Sequence, residues 1–378
     1  MKFVHLSDLH IGKRVNEFSM TEDQEYILDQ ILSVIDEEKP DGVLIAGDVY
    51  DKSVPATEAV TLFDDFLVRL ASRGVRTFVI SGNHDSPERL AFGARLMRAQ
   101  NVYISPVYAG NSEAVTLNDE YGEIDVFLLP FVKPVHVRRY FPEEKIESYT
   151  DALRVALSAF DIHPERRNVL VTHQFVTGAS RSESEEISVG GSDNVDACVF
   201  DAFDYVALGH IHRPQRIGRD TLRYCGTPLK YSFSEADQEK SVTVIELREK
   251  GNTLVRVRPL KPLREMREIR GYFDELISAK YYAGLPREDY YHITLTDEED
   301  IPDAITKLRT VYPNVMRLDY DNARTRAGID FSEAEAIEKK TPFELFSEFY
   351  VRQNGKPMDE EQERYLTALM AEIWEENK

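Results

Sequence analysis

Five short stretches of this sequence place histidine, aspartate and asparagine where apolar runs stop. They are Asp8 and His10 in HLSDLH, Asp48 in LIAGDVY, Asn83, His84 and Asp85 in SGNHDSPERL, His173 in VTHQF, and His210 with His212 in ALGHIHRP. A single histidine after a strand is commonplace and Gly-Asp is an ordinary turn; the weight lies in the five together. Two divalent ions held about 3.5–4 Å apart need a bridging carboxylate and several further nitrogen and oxygen ligands. Asp8, His10, Asp48, Asn83, His173, His210 and His212 supply that number and kind. Imidazole and carboxylate without thiolate suit manganese, iron or zinc, and carry too much nitrogen for magnesium or calcium alone. Cys198 and Cys225, the only cysteines, have neither metal-ligand spacing nor a disulfide framework, the pattern of a reducing cytoplasm.

The elements expected to position these residues alternate along the chain. KFVHLSD, GVLIAGD and VRTFVI read as buried strands that each feed a motif. TEDQEYILDQILSVIDEEK is an amphipathic helix with Thr21 and Gln24 spaced as a capping box and a stop at Pro40. PATEAVTLFDDFLVRLASRG is a second helix closed by Gly74, and PERLAFGARLMRA a third opened by Pro87. EIDVFLLP, RNVLVTH and YVALGH continue the strand series, while LRYCG, SVTVIEL and LVRVRPL alternate as antiparallel strands do. An α/β sandwich with polar residues at its strand ends follows. Near residue 261 the character changes. Residues 261–321 read as a small α+β module, 322–340 as a polar linker and 341–378 as two amphipathic helices. The apolar residues of those helices, Phe343, Phe346, Phe349, Leu366, Leu369 and Trp374, are expected to dock on a partner. No apolar run is long enough to span a bilayer, and the N-terminus leads into a strand rather than a signal peptide.

The formal net charge of −21 works against a nucleic-acid partner unless bound cations, local basic strips or a basic partner offset it. Lys13, Arg14, Arg89, Arg138, Arg139, Arg181 and Arg213 are the candidate phosphate contacts, most of them close in sequence to the metal motifs.

The pattern Asp8-x-His10, Gly47-Asp48, Gly82-Asn83-His84-Asp85, His173 and Gly209-His210-x-His212 resembles the calcineurin-like metallophosphoesterase superfamily. HLSDLHIGK, GDVYD, SGNHDSPERL, VTHQFV, GHIHRPQ and YCGTPLKYSFSE narrow the resemblance to its bacterial SbcD nuclease branch. The resemblance implies a sandwich of two mixed β-sheets flanked by helices over residues 1–260. Residues 261–321 would form a small α+β domain capping the DNA site, and the helices of 341–378 would dock an SbcC-type coiled-coil ATPase. It implies that Asp8, His10 and His212 hold one ion, Asn83, His173 and His210 the other, and that Asp48 bridges them, with manganese the expected metal. His84 would stay off the ions and stabilise charge on the phosphate or protonate the leaving oxygen, while Asp85 would hold one of its ring nitrogens.

The activities implied are a 3′→5′ exonuclease on double-stranded DNA ends and an endonuclease on single strands and hairpins, serving DNA recombination, repair and replication. The family's homodimer would form through the helices after the second and third motifs, with Leu62, Phe66, Leu90, Phe92, Leu96 and Met97 as candidates. One departure stands out. The archaeal and eukaryotic relatives usually carry a histidine shortly after the bridging aspartate; in GDVYDKSVP, which looks like the bacterial variant, the nearest polar residue is Asp51. A phosphodiesterase or phosphatase for small phosphoesters shares the chemistry and suits the charge better. A scaffold with a purely structural metal is a third possibility.

Overall fold

The computed structural model describes residues 1–185, 193–323, 325 and 342–376, and within the last stretch not the side chains of 342, 344, 345, 352, 360, 368 and 371–376. Met1–Met266 form one unit and Arg267–Lys378 a second. In the first unit the strands in chain order are β1 (Lys2–Leu6), β2 (Arg14–Val15), β3 (Phe18–Ser19), β4 (Gly42–Ala46), β5 (Arg76–Ile80), β6 (Val102–Ile104) and β7 (Val115–Asp119). There follow β8 (Gly122–Leu129), β9 (Arg167–His173), β10 (Tyr205–Gly209), β11 (Gln215–Ile217), β12 (Arg219–Tyr224), β13 (Ser241–Leu247) and β14 (Thr253–Pro259).

Two six-stranded sheets result, ordered β14-β13-β1-β4-β5-β6 and β11-β12-β10-β9-β8-β7, with β2-β3 a small separate ribbon. Strands β1, β4, β5 and β6 are parallel, and β13 and β14 close that sheet antiparallel. In the second sheet β12, β10, β9 and β8 are parallel, with β11 and β7 antiparallel at its edges.

The two-residue period of a strand sorts its side chains between two cores. Phe3, Leu44, Ala46, Phe78, Ile80, Ile124, Val126, Leu128, Val169, Val171, Tyr205 and Ala207 fill the space between the sheets. Their neighbours Phe127, Leu129, Leu170, Val206 and Leu208 face the other way, into a second core shared with Leu153 and Ala156 of the helix Tyr149–Ser158. Strands buried on both faces read as continuous apolar runs, which is why these were visible in the sequence.

Three local expectations change. The helix Thr21–Glu38 starts after Met20 without a side-chain cap. Gln24 is buried instead, accepting from the Gly12 amide at 2.9 Å and donating to the His10 carbonyl at 2.7 Å and the Tyr231 hydroxyl at 3.0 Å. A buried amide has to satisfy its own donors and acceptor, and that demand outranks an exposed cap. The single helix expected from Pro87 is two short turns, Pro87–Leu90 and Ala94–Met97, because Gly93 sits at φ +76°. The helix Tyr149–Ser158, not expected from the sequence, opens on a reciprocal capping box between Ser148 and Asp151.

The second unit holds β15 (Met266–Gly271), β16 (Tyr290–Leu295) and β17 (Val315–Tyr320) in that order, with β16 and β17 parallel. Phe273, Leu276, Tyr291, Ile293, Leu295, Leu308 and Tyr312 make its core. Helices Pro342–Asn354 and Glu360–Glu376 belong to the same unit. Among the described residues no helix is long and apolar enough to cross a membrane.

Candidate metal centre

The parallel strands β1, β4 and β5 of one sheet and β9 and β10 of the other all end at the same edge of the sandwich, where open α/β sheets expose polar loops. Asp8, His10, Asp48 and His210 sit just past those ends with positive φ angles of 52°, 44°, 47° and 105°. Such backbone is costly for non-glycine residues and persists only where its surroundings fix it. Here the loops are stapled together: the Asp8 amide donates to the Gly47 carbonyl at 3.0 Å, and the His10 amide to the Asp48 carbonyl at 2.9 Å. The sheets pinch at this edge. The His173 Nδ1 lies 2.8 Å from the Ala46 carbonyl across the interface, and a Cβ on Gly209 would fall 1.8 Å from that same oxygen.

All seven expected ligands converge. One atom each of Asp8, His10 and His212 lies within 4.8 Å of the others, and so do atoms of Asp8, Asp48 and His173. His10 Nε2 and His212 Nε2 face each other at 3.1 Å. His173 Nε2 and His210 Nδ1 both meet Asn83 Oδ1 at 2.9 Å. The Asp48 carboxylate lies between, 3.3 Å from His173 Nε2 and 3.7 Å from His10 Nε2.

The electrostatics are those of a site short of positive charge. Burial, eased by His173 and worsened by Asp48, lifts the Asp8 carboxyl to about 7. Burial would lift Asp48 too, but His173, His10 and His84 hold it well below the usual carboxylate range. Burial opposes charge on His173, yet Asp48, Asp8 and the Ala46 carbonyl raise it to about 9. Burial drives His10 well below the ordinary imidazole value, lowers His212, and with His173 takes His210 down to about 3. His10 Nδ1 is buried without a hydrogen-bond partner. Two buried carboxylates, neutral imidazoles with facing nitrogens and one orphaned ring atom fit divalent cations better than a self-sufficient hydrogen-bond network.

His84 is the half-buried histidine at the rim. Its amide donates to Asp48 Oδ1 at 2.9 Å, its ring meets His10 edge-on with centroids 4.9 Å apart, and its Nε2 stands 3.9 Å from Asp48 Oδ2. The expected partner of its ring is corrected. His84 Nδ1 lies 3.1 Å from the backbone carbonyl of Asp51. Asp85 spends both carboxylate oxygens on backbone amides, those of Gly82, Val49 and Tyr50, at 2.9 to 3.1 Å. Three donors from two loops leave that carboxylate as a clamp between the second and third motifs, though burial and the nearby Asp48 raise it to about 6. Asp51, opaque in sequence, also ion-pairs with Lys13 at 2.6 Å and comes within 3.8 Å of His10 Nδ1.

The remaining candidates are scattered. Lys13 and Arg181 are engaged, the latter with Asp193 at 3.1 Å and over the Phe175 ring at 3.5 Å. Arg14, Arg89 and Arg213 are exposed. Arg138 donates to the Ile146 carbonyl, and Arg139 lies near the Tyr140 ring. Of the dimer set, Phe66 and Leu90 are core residues of their own chain at 1% and 7% exposure, so they are corrected as surface candidates. Helix Thr57–Ser72 turns Phe63, Phe66 and Leu70 inward. Leu62 and Met97 are half-buried, whereas Phe92 and Leu96 stand 84% and 81% exposed. In the C-terminal helices Phe346, Phe349 and Leu369 are exposed, Phe343 is half-buried and Leu366 is buried. The side chain of Trp374 lies outside the described residues. Ser184, Glu185, Glu235 and Lys240 around the site have no role in the sequence reading, and Gln24 has only that of a cap, since their contacts with the site follow no local pattern.

Residues 1–214 match the family model described as calcineurin-like phosphoesterase, and residues 262–354 that of the type 5 capsule protein repressor C-terminal domain. A dimetal phosphatase from Danio rerio, among solved structures, covers 70% of this chain and 98% of its own at 11% identity and a TM-score of 0.41. A match over more than half the chain, on this sandwich, defines a calcineurin-like phosphoesterase. The SbcD subunit of the SbcCD nuclease from Staphylococcus epidermidis is 33% identical over 379 residues, 99% of either chain. Its counterpart from Staphylococcus saprophyticus is 32% identical over 380 residues, 100% of this chain and 99% of the relative. The chain belongs to this family of SbcD nuclease subunits and is a hydrolase of phosphodiester bonds. Full-length kinship with nuclease subunits does not favour the small-phosphoester alternative.

Proposed function

We propose that the chain is the manganese-dependent nuclease subunit of a cytoplasmic SbcC–SbcD-type complex. It acts as a 3′→5′ exonuclease on double-stranded DNA ends and as an endonuclease on single strands and hairpins, in DNA recombination, repair and replication. One observation carries the reading: side chains from five strand ends of two sheets meet around Asp48 and Asn83, with the half-buried His84 at the rim. Asp8, His10 and His212 would hold one cation and Asn83, His173 and His210 the other, with Asp48 within reach of both. When bound, the pair neutralises charge on the phosphoryl oxygens and lowers the pKa of water. His84, with Nδ1 donating to the Asp51 carbonyl, would turn Nε2 to the phosphate and, when that nitrogen also carries a proton, stabilise charge or pass that proton to the leaving oxygen.

Purified protein with manganese is expected to degrade linear and hairpin DNA, and His84→Gln to keep bound manganese while losing about 10²–10⁴-fold in cleavage rate. Full cleavage by that variant would remove His84 from the chemistry; activity confined to small phosphodiesters would overturn the substrate. The exposed Phe92 and Leu96 support a homodimer, read by light scattering of the same preparation, where a monomer at micromolar concentration would refute it. The groove of about 540 Å³ lined by Phe346, Tyr350, Tyr365, Leu366 and Leu369 supports docking of the ATPase. Co-purification with the ATPase that survives removal of residues 341–378 would refute the docking.

A further inference from the structure

Behind His212 lies a closed circuit of side chains from two segments remote in sequence. The His212 Nδ1 is 2.7 Å from Ser184 Oγ, and that hydroxyl donates in turn to a carboxylate oxygen of Glu235. Glu235 is wholly buried and pairs through its other oxygen with Lys240 at 2.5 Å. Lys240, 3% exposed, donates also to the backbone carbonyl of His212 at 2.9 Å and to Gln238 Oε1 at 3.0 Å. The His212 amide donates to Glu185 Oε1 at 2.7 Å, and the other oxygen of Glu185 takes the Ser182 amide at 3.0 Å. Ring, amide and carbonyl of one residue are therefore all held by one network.

The circuit has a fixed direction. A carboxylate paired with a buried ammonium only accepts, so the single hydroxyl proton of Ser184 goes to Glu235. The hydroxyl then accepts from the imidazole, which places the ring proton on Nδ1 and leaves Nε2 bare. That Nε2 is the atom facing His10 Nε2 at 3.1 Å. Glu235 cannot set the tautomer alone, because its oxygen stands 3.6 Å from Nδ1, beyond hydrogen-bond range. Without the hydroxyl the ring gains by moving its proton to Nε2 and donating to His10, which blocks the lone pair a cation needs.

We propose that Ser184, backed by Glu235 and Lys240, is a positioning residue that fixes the tautomer and aim of His212 for the first cation. The inference rests on the assignment of His212 as a ligand in the proposed function. Ser184 touches neither the cation nor the phosphate and acts through His212 alone.

The test pairs two readouts on the full chain. Manganese is titrated into wild type, Ser184→Ala and Ser184→Thr, with free ion followed by electron paramagnetic resonance. Imidazole nitrogen shifts are recorded on the metal-free proteins by ¹⁵N NMR. Expected are two sites in wild type, about 10–100-fold weakening of one site with the other unchanged in Ser184→Ala, and recovery in Ser184→Thr. One histidine should pass from the Nδ1–H form to a mixture of tautomers in Ser184→Ala only. The unchanged second site reports that the fold survives. Equal weakening of both sites, or no change in affinity and shifts, overturns the role of Ser184 alone. Wild type that takes up no manganese sinks the metal assignment itself.

Discussion

At the centre of the site a proton and a cation compete for the same atoms. His173 is raised to about 9 and Asp8 to about 7, so both bind protons more tightly in the folded chain than in the unfolded one. Stability then falls with rising pH wherever the folded state holds the extra proton. For Asp8 that window runs from its ordinary 3.8 up to about 7; for His173 it runs from 6.5 up to about 9. Below 6.5 the imidazoles of His10, His210 and His212, lowered by burial, oppose Asp8, so the metal-free protein is expected to melt at progressively lower temperature as pH rises through the His173 window, from 6.5 to about 9. A cation held by His173, as proposed, would displace its proton, so apparent manganese affinity should climb up to about pH 9 and level off above. Calorimetry in buffers of different ionisation enthalpy should register at least one proton released per molecule near neutral pH. An affinity that stays flat through the His173 window would mean that this imidazole does not meet the ion.

The elements bring these atoms together through a close approach of the two sheets. β10 ends at Gly209, where any side chain would collide with the Ala46 carbonyl at the end of β4 and with His173 Nδ1, 2.6 Å from the built Cβ. Gly209→Ala should force the strand ends apart, costing about 1–3 kcal/mol in thermal unfolding and weakening manganese binding, with the outer helices intact by circular dichroism. A variant of wild-type stability with both ions bound would show that the edge yields freely. The same close approach explains what the sequence disclosed. Strands buried on both faces announce themselves as apolar runs, and each candidate ligand follows one, so the convergence of five strand ends and seven candidate ligands was legible from type and order. What stayed hidden has a common cause. Ser184, Glu235 and Lys240 act on His212 from 28, 23 and 28 positions away, through contacts that no local period encodes. Gln24 fits a capping box by spacing, and only its burial against Gly12 and His10 reveals another use. The helix at Pro87 breaks at Gly93, a residue whose left-handed φ spacing alone does not announce.

Over the whole molecule, 67 acidic residues face 46 basic ones, a balance that repels a phosphate backbone. At physiological salt the screening length is about 8 Å, so only charges near the DNA path count. Of the arginines and lysines closest to the metal motifs, Lys13 is tied to Asp51 and Arg181 to Asp193, while Arg14, Arg89 and Arg213 are exposed. A protein that neutralises about three phosphates loses affinity with a logarithmic salt slope of about −2.7. Divalent cations held as proposed would be a second source of positive charge, set against Asp8 and Asp48, which otherwise add to the repulsion. The isolated chain should therefore bind duplex DNA weakly, with a shallow salt slope, and only while manganese is present. Fluorescence anisotropy with a labelled hairpin, across a salt series with and without EDTA, measures both terms. Tight binding that survives EDTA with a slope steeper than about −6 would place the DNA on a basic surface away from the site, and the metal centre would no longer be the feature that draws an acidic chain to its substrate.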